Sequence, residues 1–279
     1  MNSQWLKWRL MYSIHSPYLR PGRMLTAYAG RIRPPEFLII GTERGGTTSL
    51  HTYLMENQKI ARALRKEIHY FDQNYNKGWT WYLSHFPNRK NDIISGEASP
   101  HYYFFQEAAA RIANDLPNVK IIVLLRNPID RAYSHYQHEV ANGYEKLSFK
   151  NAISREYNIS DGTLQPFDLR SAGIFQYVHF SYLSKGLYVT HLKSWLAEIP
   201  RERFLFLKSE DFFRNPGAVL SQVLNFLGLP PTDRSSFRTY NEGEYEPLGS
   251  NLRSELVDFY TPYNDELSKL LNMDLRDWT

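Results

Sequence analysis

The run "FLII", residues 37–40, is followed at once by "GTERGGTTSL", residues 41–50, and this junction decides how the 279-residue chain is read. An apolar run, a glycine-rich turn and a segment with Leu50, Tyr53 and Leu54 on one face predict strand, loop and helix in succession. Gly41 and Gly46 have the spacing of the nucleotide-binding loop G-x-x-x-x-G-K-[ST], but Thr47 stands where its lysine belongs. Such a loop cradles an anion with backbone N–H groups and a helix N-terminus, helped by a cation. Gly45 and Gly46 let the backbone approach, Thr47, Thr48 and Ser49 offer hydroxyls, and Arg44 is the only cation inside the loop.

Three more strands are expected in "DIISGEASP" (92–100), "VKIIVLLRNP" (119–128) and "RFLFLKSED" (203–211). Helices are expected over 106–115, 128–142, about 177–198, and 216–227, the last ending at Gly228 before two prolines. Strands alternating with helices predict an α/β fold: a P-loop-like parallel β-sheet flanked by helices on both faces. Residues 37–279 are read as one domain and residues 1–36 as a basic extension, in which Lys7, Arg9, Arg20, Arg23, Arg31 and Arg33 face Glu36 alone. Residues 155–175 carry Gly, Pro, Asp and Ser without a period and are read as a long surface loop.

Composition narrows the chemistry. The absence of cysteine excludes disulfides, thiolate catalysis and thiolate metal sites. No run of about 18 apolar residues occurs and the N-terminus lacks a signal-peptide core, so a cytoplasmic protein is expected. The start "WLKWRLMY" (5–12) suits either packing on the domain or peripheral contact with a membrane surface.

The strand "VKIIVLL" ends in Arg126, where a nucleoside triphosphatase would place an acid for its metal. Asn127 and Pro128 would cap and begin a helix, with Arg131, Ser134, His135 and His138 along one face. Helical side chains lean toward the N-terminus, so Ser134 can reach the anion that Arg126 attracts. Two separate anion sites on one sheet and no metal site are therefore expected; His135 and His138 have no third ligand in sequence.

These stretches carry a resemblance. "ERGGTTSL" and "RNPIDRAYS" resemble the two nucleotide motifs of sulfotransferases that use 3′-phosphoadenosine 5′-phosphosulfate (PAPS), leaving adenosine 3′,5′-bisphosphate (PAP). "KEIHYFD" (66–72), "NKGWTWY" (76–82), "GEASPHYYF" (96–104), "KGLYVTHLKSWL" (185–196) and "NFLGLP" (225–230) resemble the branch that contains heparan sulfate sulfotransferases and many bacterial sulfotransferases. The resemblance implies that Arg44, Gly45, Gly46, Thr47, Thr48 and Ser49 surround the phosphosulfate. It implies that Arg126 and Ser134 hold the 3′-phosphate, and that Glu67 is the general base, with His69 as its rival. It further implies a hydroxyl-bearing acceptor, such as a carbohydrate, a glycolipid or a small metabolite, and neither a metal nor a nucleic-acid partner.

The chain also departs from the pattern. Relatives mostly carry lysine at the position of Arg44, and a guanidinium stabilises charge without donating a proton. A late lysine-glycine-arginine loop of the heparan enzymes has no clear counterpart, with Arg253 the available substitute in "YNEGEYEPLGSNLR" (240–253). These departures, with the missing cysteines, are read as a bacterial, cytoplasmic form. Two alternatives stay open: a non-catalytic module that binds anionic glycans, and a P-loop kinase.

Overall fold

Alternate residues of Phe37–Gly41 (β1) point to opposite faces of a sheet, and all five are buried. The computed structural model describes residues 21–158, 163–164, 169–232, 234, 236–238 and 245–278, without the side chains of Pro21 and residues 157–172. Phe37 and Ile39 pack with Leu50, Tyr53 and Leu54 of α2 (Thr47–Leu54) and with Val219, Leu220, Val223 and Leu224 of α10 (Pro216–Leu227). Leu38 and Ile40 join a larger cluster on the other face, containing Ala108 and Ile112 of α4 (Gln106–Asp115) and Leu192 and Trp195 of α8 (Tyr188–Glu198). A strand covered on both faces has no polar side, which is why "FLII" and "KIIVLL" read as unbroken apolar runs.

The sheet has the order β2-β3-β1-β4-β7 and is parallel throughout, with β2 at Ile60–Arg62, β3 at Ile94–Ala98, β4 at Lys120–Leu125 and β7 at Phe204–Lys208. All strand C-termini thus lie along one edge, and those of β3, β1 and β4 are neighbours. The expected α/β architecture is present, with helices on both faces. The helices expected at 106–115 and 216–227 span those residues, and the one beginning at Pro128 is α5 (Pro128–Ala141).

Several elements differ from the sequence reading, the unexpected edge strand β2 among them. The single helix expected over 177–198 is two, α7 (Leu169–Phe180, kinked at Gly173) and α8, separated by a tight turn at Ser184–Gly186. The buried Glu156 carboxylate breaks the continuity by accepting from the backbone N–H groups of Leu183 at 2.6 Å and Ser184 at 2.9 Å. Within the loop read at 155–175, residues 159–162 and 165–168 lie outside the described residues. The described parts are a small antiparallel pair, β5 (Tyr157–Asn158) with β6 (Thr163–Leu164), and the start of α7. The 22-residue α11 (Ser250–Leu271) was not anticipated. Pro262 lies inside it, while Leu256, Tyr260, Asn264, Leu267 and Leu271 form its buried stripe at helical spacing.

Residues 1–20, including "WLKWRLMY", lie outside the described residues. From Pro21 the extension is fastened to the domain: Ala27 of α1 (Pro21–Tyr28) and Ile32 are buried in the larger cluster, and Arg33 donates to the carbonyls of Lys90 and Ile93 at 2.8 Å each. No helix among the described residues is long and apolar enough to cross a membrane.

Candidate active site

The loop between β1 and α2 is shaped by its two glycines. Gly46 has φ +91 and caps α2, a conformation that costs glycine little. A side chain on Gly45 would lie 2.9 Å from the Thr42 carbonyl and 3.0 Å from that of Leu124. Among the described residues no side chain caps α2, whose N-terminus is of the kind that attracts anions. The Gly45 N–H does not join them, because it donates to Thr42 at 2.9 Å inside the loop. Ser209 steadies the turn by donating to the Gly45 carbonyl at 2.8 Å. Thr47 and Ser49 are buried and Thr48 is half-buried, which makes Thr48 the hydroxyl best placed at the surface of the cradle.

The second anion element begins where β4 ends. Arg126 is half-buried, and Asn127 caps α5 by accepting from Ile129 N at 2.9 Å and Asp130 N at 3.4 Å. Arg131, Ser134 and His135 turn inward as expected, but His138 is exposed and pairs with Asn142 instead of sharing their face. The two elements that the sequence reading gives to separate anion sites touch each other in the structure. Arg44 Nε donates to Ser134 Oγ at 3.1 Å, and Arg126 Nη1 donates to the Arg44 carbonyl at 2.9 Å. The contact follows from the adjacency of β1 and β4 in the sheet. Arg253 reaches the same helix start and pairs with Asp130 at 2.8 Å.

Glu67 and His69 do not lie on an extended segment. Both have left-handed backbone, φ +62 and +55, followed by a single π-helical turn at Tyr70–Asn74. Such conformations are costly for side-chain-bearing residues, and the end of β3 holds them in place. The N–H groups of Glu67, Ile68, His69 and Tyr70 donate in turn to Ala98 O (3.0 Å), Glu97 Oε2 (3.4 Å), Ser99 Oγ (3.4 Å) and Tyr102 Oη (2.9 Å). Glu97 is the hub: it is fully buried, and its carboxylate also accepts from the hydroxyls of Tyr82, Ser99 and Tyr102.

These bends bring Glu67 and His69 face to face, with Nε2 3.9 Å from the Glu67 carboxylate and Nδ1 2.8 Å from Asp72. Burial disfavours charge on His69, yet Asp72 and Glu67 raise it to about 10. Asp72 and Glu67 thus favour the imidazolium form of His69 at neutral pH. Burial alone would raise the Glu67 carboxyl, but His69 and the paired Lys66 hold it far below the usual carboxylate range. The half-buried Glu67 is thus the ionised acceptor of this pair.

The raised His69 has a consequence for stability. Its contribution is complete below the unfolded value near 6.5 and is lost as pH rises through about 10. Urea unfolding of the wild type is expected to weaken between those limits by up to about 1.4 kcal/mol per pH unit relative to His69→Gln. Parallel slopes for the two proteins would show that His69 is not held charged.

Four contributors were missed in sequence. Asp72 and His101 carry no spacing signal; both adjoin His69, whose ring lies 5.1 Å from that of His101. Glu43 was passed over as a loop residue, although its carboxylate turns inward to Lys185, His101 and His135. Phe213 in α9 (Ser209–Arg214) is 47% exposed beside Gly46, with the Arg126 guanidinium 5.7 Å from its ring centre. The second phenylalanine of "SEDFFR" was its only trace. Of the aromatic trio 79–82, Tyr82 is core, whereas Trp79 and Trp81 are half-buried and Lys77 sits 4.5 Å over Trp81.

Two groupings, His69-Asp72-His101 and Glu43-His135-Glu139, bring ligand-type atoms within 4.8 Å of one another. The carboxylates of the first and second are already engaged, Asp72 by His69, Glu43 by Lys185 and Glu139 by His179 at 2.8 Å.

Known proteins resemble this chain in sequence and in fold. The chain is 35% identical over 217 residues to heparan sulfate glucosamine 3-O-sulfotransferase 6 of Homo sapiens, covering 78% of this chain and 58% of the human protein. It is 29% identical over 311 residues to the membrane-associated sulfotransferase kil1 of Dictyostelium discoideum, covering 87% of this chain and 66% of that one. The chain thus spans less than two thirds of the length of these curated relatives. The crystal structure of a sulfotransferase from Alicyclobacillus acidocaldarius superimposes with a TM-score of 0.71 at 30% identity, covering 88% of this chain and 99% of that one. Residues 34–248, from the entry into β1 to the threshold of α11, match the description "Sulfotransferase domain". The uncapped cradle, the arginine at the end of β4 and the carboxylate beside β3 all fall inside that match, and the chain belongs to the sulfotransferase domain family.

Proposed function

We propose that this protein transfers the sulfuryl group of PAPS to a hydroxyl of a carbohydrate or related acceptor. One observation carries the reading: Arg44 bonds to Ser134 through its side chain and to Arg126 through its carbonyl, so the cradle and the α5 start are parts of one site. A nucleotide with anionic groups on both the 5′ and the 3′ oxygens of one ribose fits such a site. The exposed Phe213 ring lies between the two elements, where a base can stack. The name of the human relative, a glucosamine 3-O-sulfotransferase, supports a sugar hydroxyl as acceptor. A cysteine-free composition is compatible with work in the cytoplasm.

PAPS supplies the sulfuryl group and, as its S–O bond breaks, a departing phosphate oxygen. Arg44 and the first-turn N–H groups of α2 stabilise the charge that develops on that oxygen. Glu67 takes the acceptor proton as the new S–O bond forms. His69, held charged by Asp72, orients the Glu67 carboxylate from behind.

Calorimetric titration with PAP and with ATP, each with and without magnesium, tests the proposal. Tight, metal-independent binding of the bisphosphate with little response to ATP is expected. Binding of magnesium-ATP alone would indicate a kinase, and binding of neither would favour the glycan-binding module.

A further inference from the structure

A carboxylate is an unwelcome neighbour for an anion site, yet Glu43 immediately precedes Arg44 and is the only acid in the stretch 41–50. Its side chain turns into the protein. Oε2 accepts from Lys185 Nζ at 2.9 Å, while Oε1 lies 3.6 Å from His101 Nε2 and 3.8 Å from His135 Nε2. The Lys185 side chain is 1% exposed, makes a second bond to the Val178 carbonyl at 2.7 Å, and lies over the Phe104 ring. It stands in the tight turn that Glu156 fixes between α7 and α8, so the ammonium cannot swing away.

The Lys185 ammonium lies closer to the Glu43 carboxylate than either imidazole, and burial disfavours charge on His135. The contact also ties down the residue before Arg44, whose own backbone is left-handed at φ +64. From the outer side Arg126 holds the Arg44 carbonyl; from the inner side the Glu43–Lys185 pair holds the chain one residue earlier.

We propose that Lys185 is a positioning residue for the nucleotide cradle: paired with Glu43 inside the protein, it cancels the loop's one negative charge and fixes the strained backbone that presents Arg44. The inference rests on the sulfotransferase reading. Removing one partner of a buried ion pair leaves the other charge uncompensated, whereas removing both is far milder. Lys185 should therefore matter only while Glu43 carries its charge.

The test is a double-mutant cycle read by calorimetric titration with PAP, with urea unfolding as a check on folding. Lys185→Met is expected to weaken PAP binding by at least about tenfold in the wild-type background, and by less than about threefold in a Glu43→Gln background. Equal losses in both backgrounds, or no loss in either, overturn the proposal. If Lys185→Met alone does not fold, a double variant that folds and binds supports it, and one that does neither overturns it. Failure of the wild type to bind PAP is a separate result, because it removes the sulfotransferase reading itself.

Discussion

Glu67→Gln is expected to lower turnover by about 10²- to 10⁴-fold while PAP affinity stays within a few fold. Release of PAP from PAPS, with an acceptor the wild type uses, measures the first; calorimetry measures the second. Glutamine keeps the shape of the side chain and the left-handed backbone, which is fixed through main-chain contacts to Ala98 and Arg65. It removes the ability to take a proton, together with the charge that faces Lys66 and His69. The affinity should hold because Glu67 contacts His69 and Lys66, not Arg44, Arg126 or Ser134. A carboxylate held so far below its usual range is a weak base, but a loose transfer step needs the proton removed only late, as in phosphoryl transfer. A fully active Glu67→Gln protein would remove this residue from the mechanism.

Arg44→Met should produce the second large effect, and on both measurements. Losing one charge-assisted contact to the departing oxygen costs about 10²- to 10³-fold in turnover. Losing the charge-assisted hydrogen bonds to the bound anion costs about 1.5–3 kcal/mol, roughly 10- to 150-fold in PAP affinity. Arg44→Lys tests which property matters. Lysine restores the charge but not a planar donor toward Ser134, so turnover should recover further than nucleotide affinity. If Arg44→Met binds and turns over as the wild type does, the cradle does not work through its cation.

Much of this site was legible because its donor half is written in local chemistry. Glycines that admit close backbone approach, Thr47 in place of lysine, and Arg126 before an Asn-Pro cap are signals contained within ten residues. The strands β1, β4 and β7 were legible for a similar reason, as short apolar runs bounded by turn residues. The edge strand Ile60–Arg62 has three residues and no pattern to detect. The length of α11 was hidden by Pro262, and the break before α8 depends on a carboxylate nearly thirty residues away at Glu156. The acceptor half was legible only as a list of residue types. Nothing in "KEIHYFD" announces that Glu67 and His69 adopt left-handed backbone, or that Asp72 folds back against the His69 ring and, with Glu67, favours its charged form.

The central place of β1 has one more consequence. Phe37, Leu38 and Ile39 are wholly buried and paired with a strand on each side, so the cradle grows from a central strand of the kind expected to open last. The segment bearing Glu67, Trp79 and Trp81 instead joins the edge strand β2 to β3 and holds its shape through bonds to the rim of the sheet. Under the proposed function, a change in that segment would alter the acceptor side while leaving the strand that carries the cradle in place.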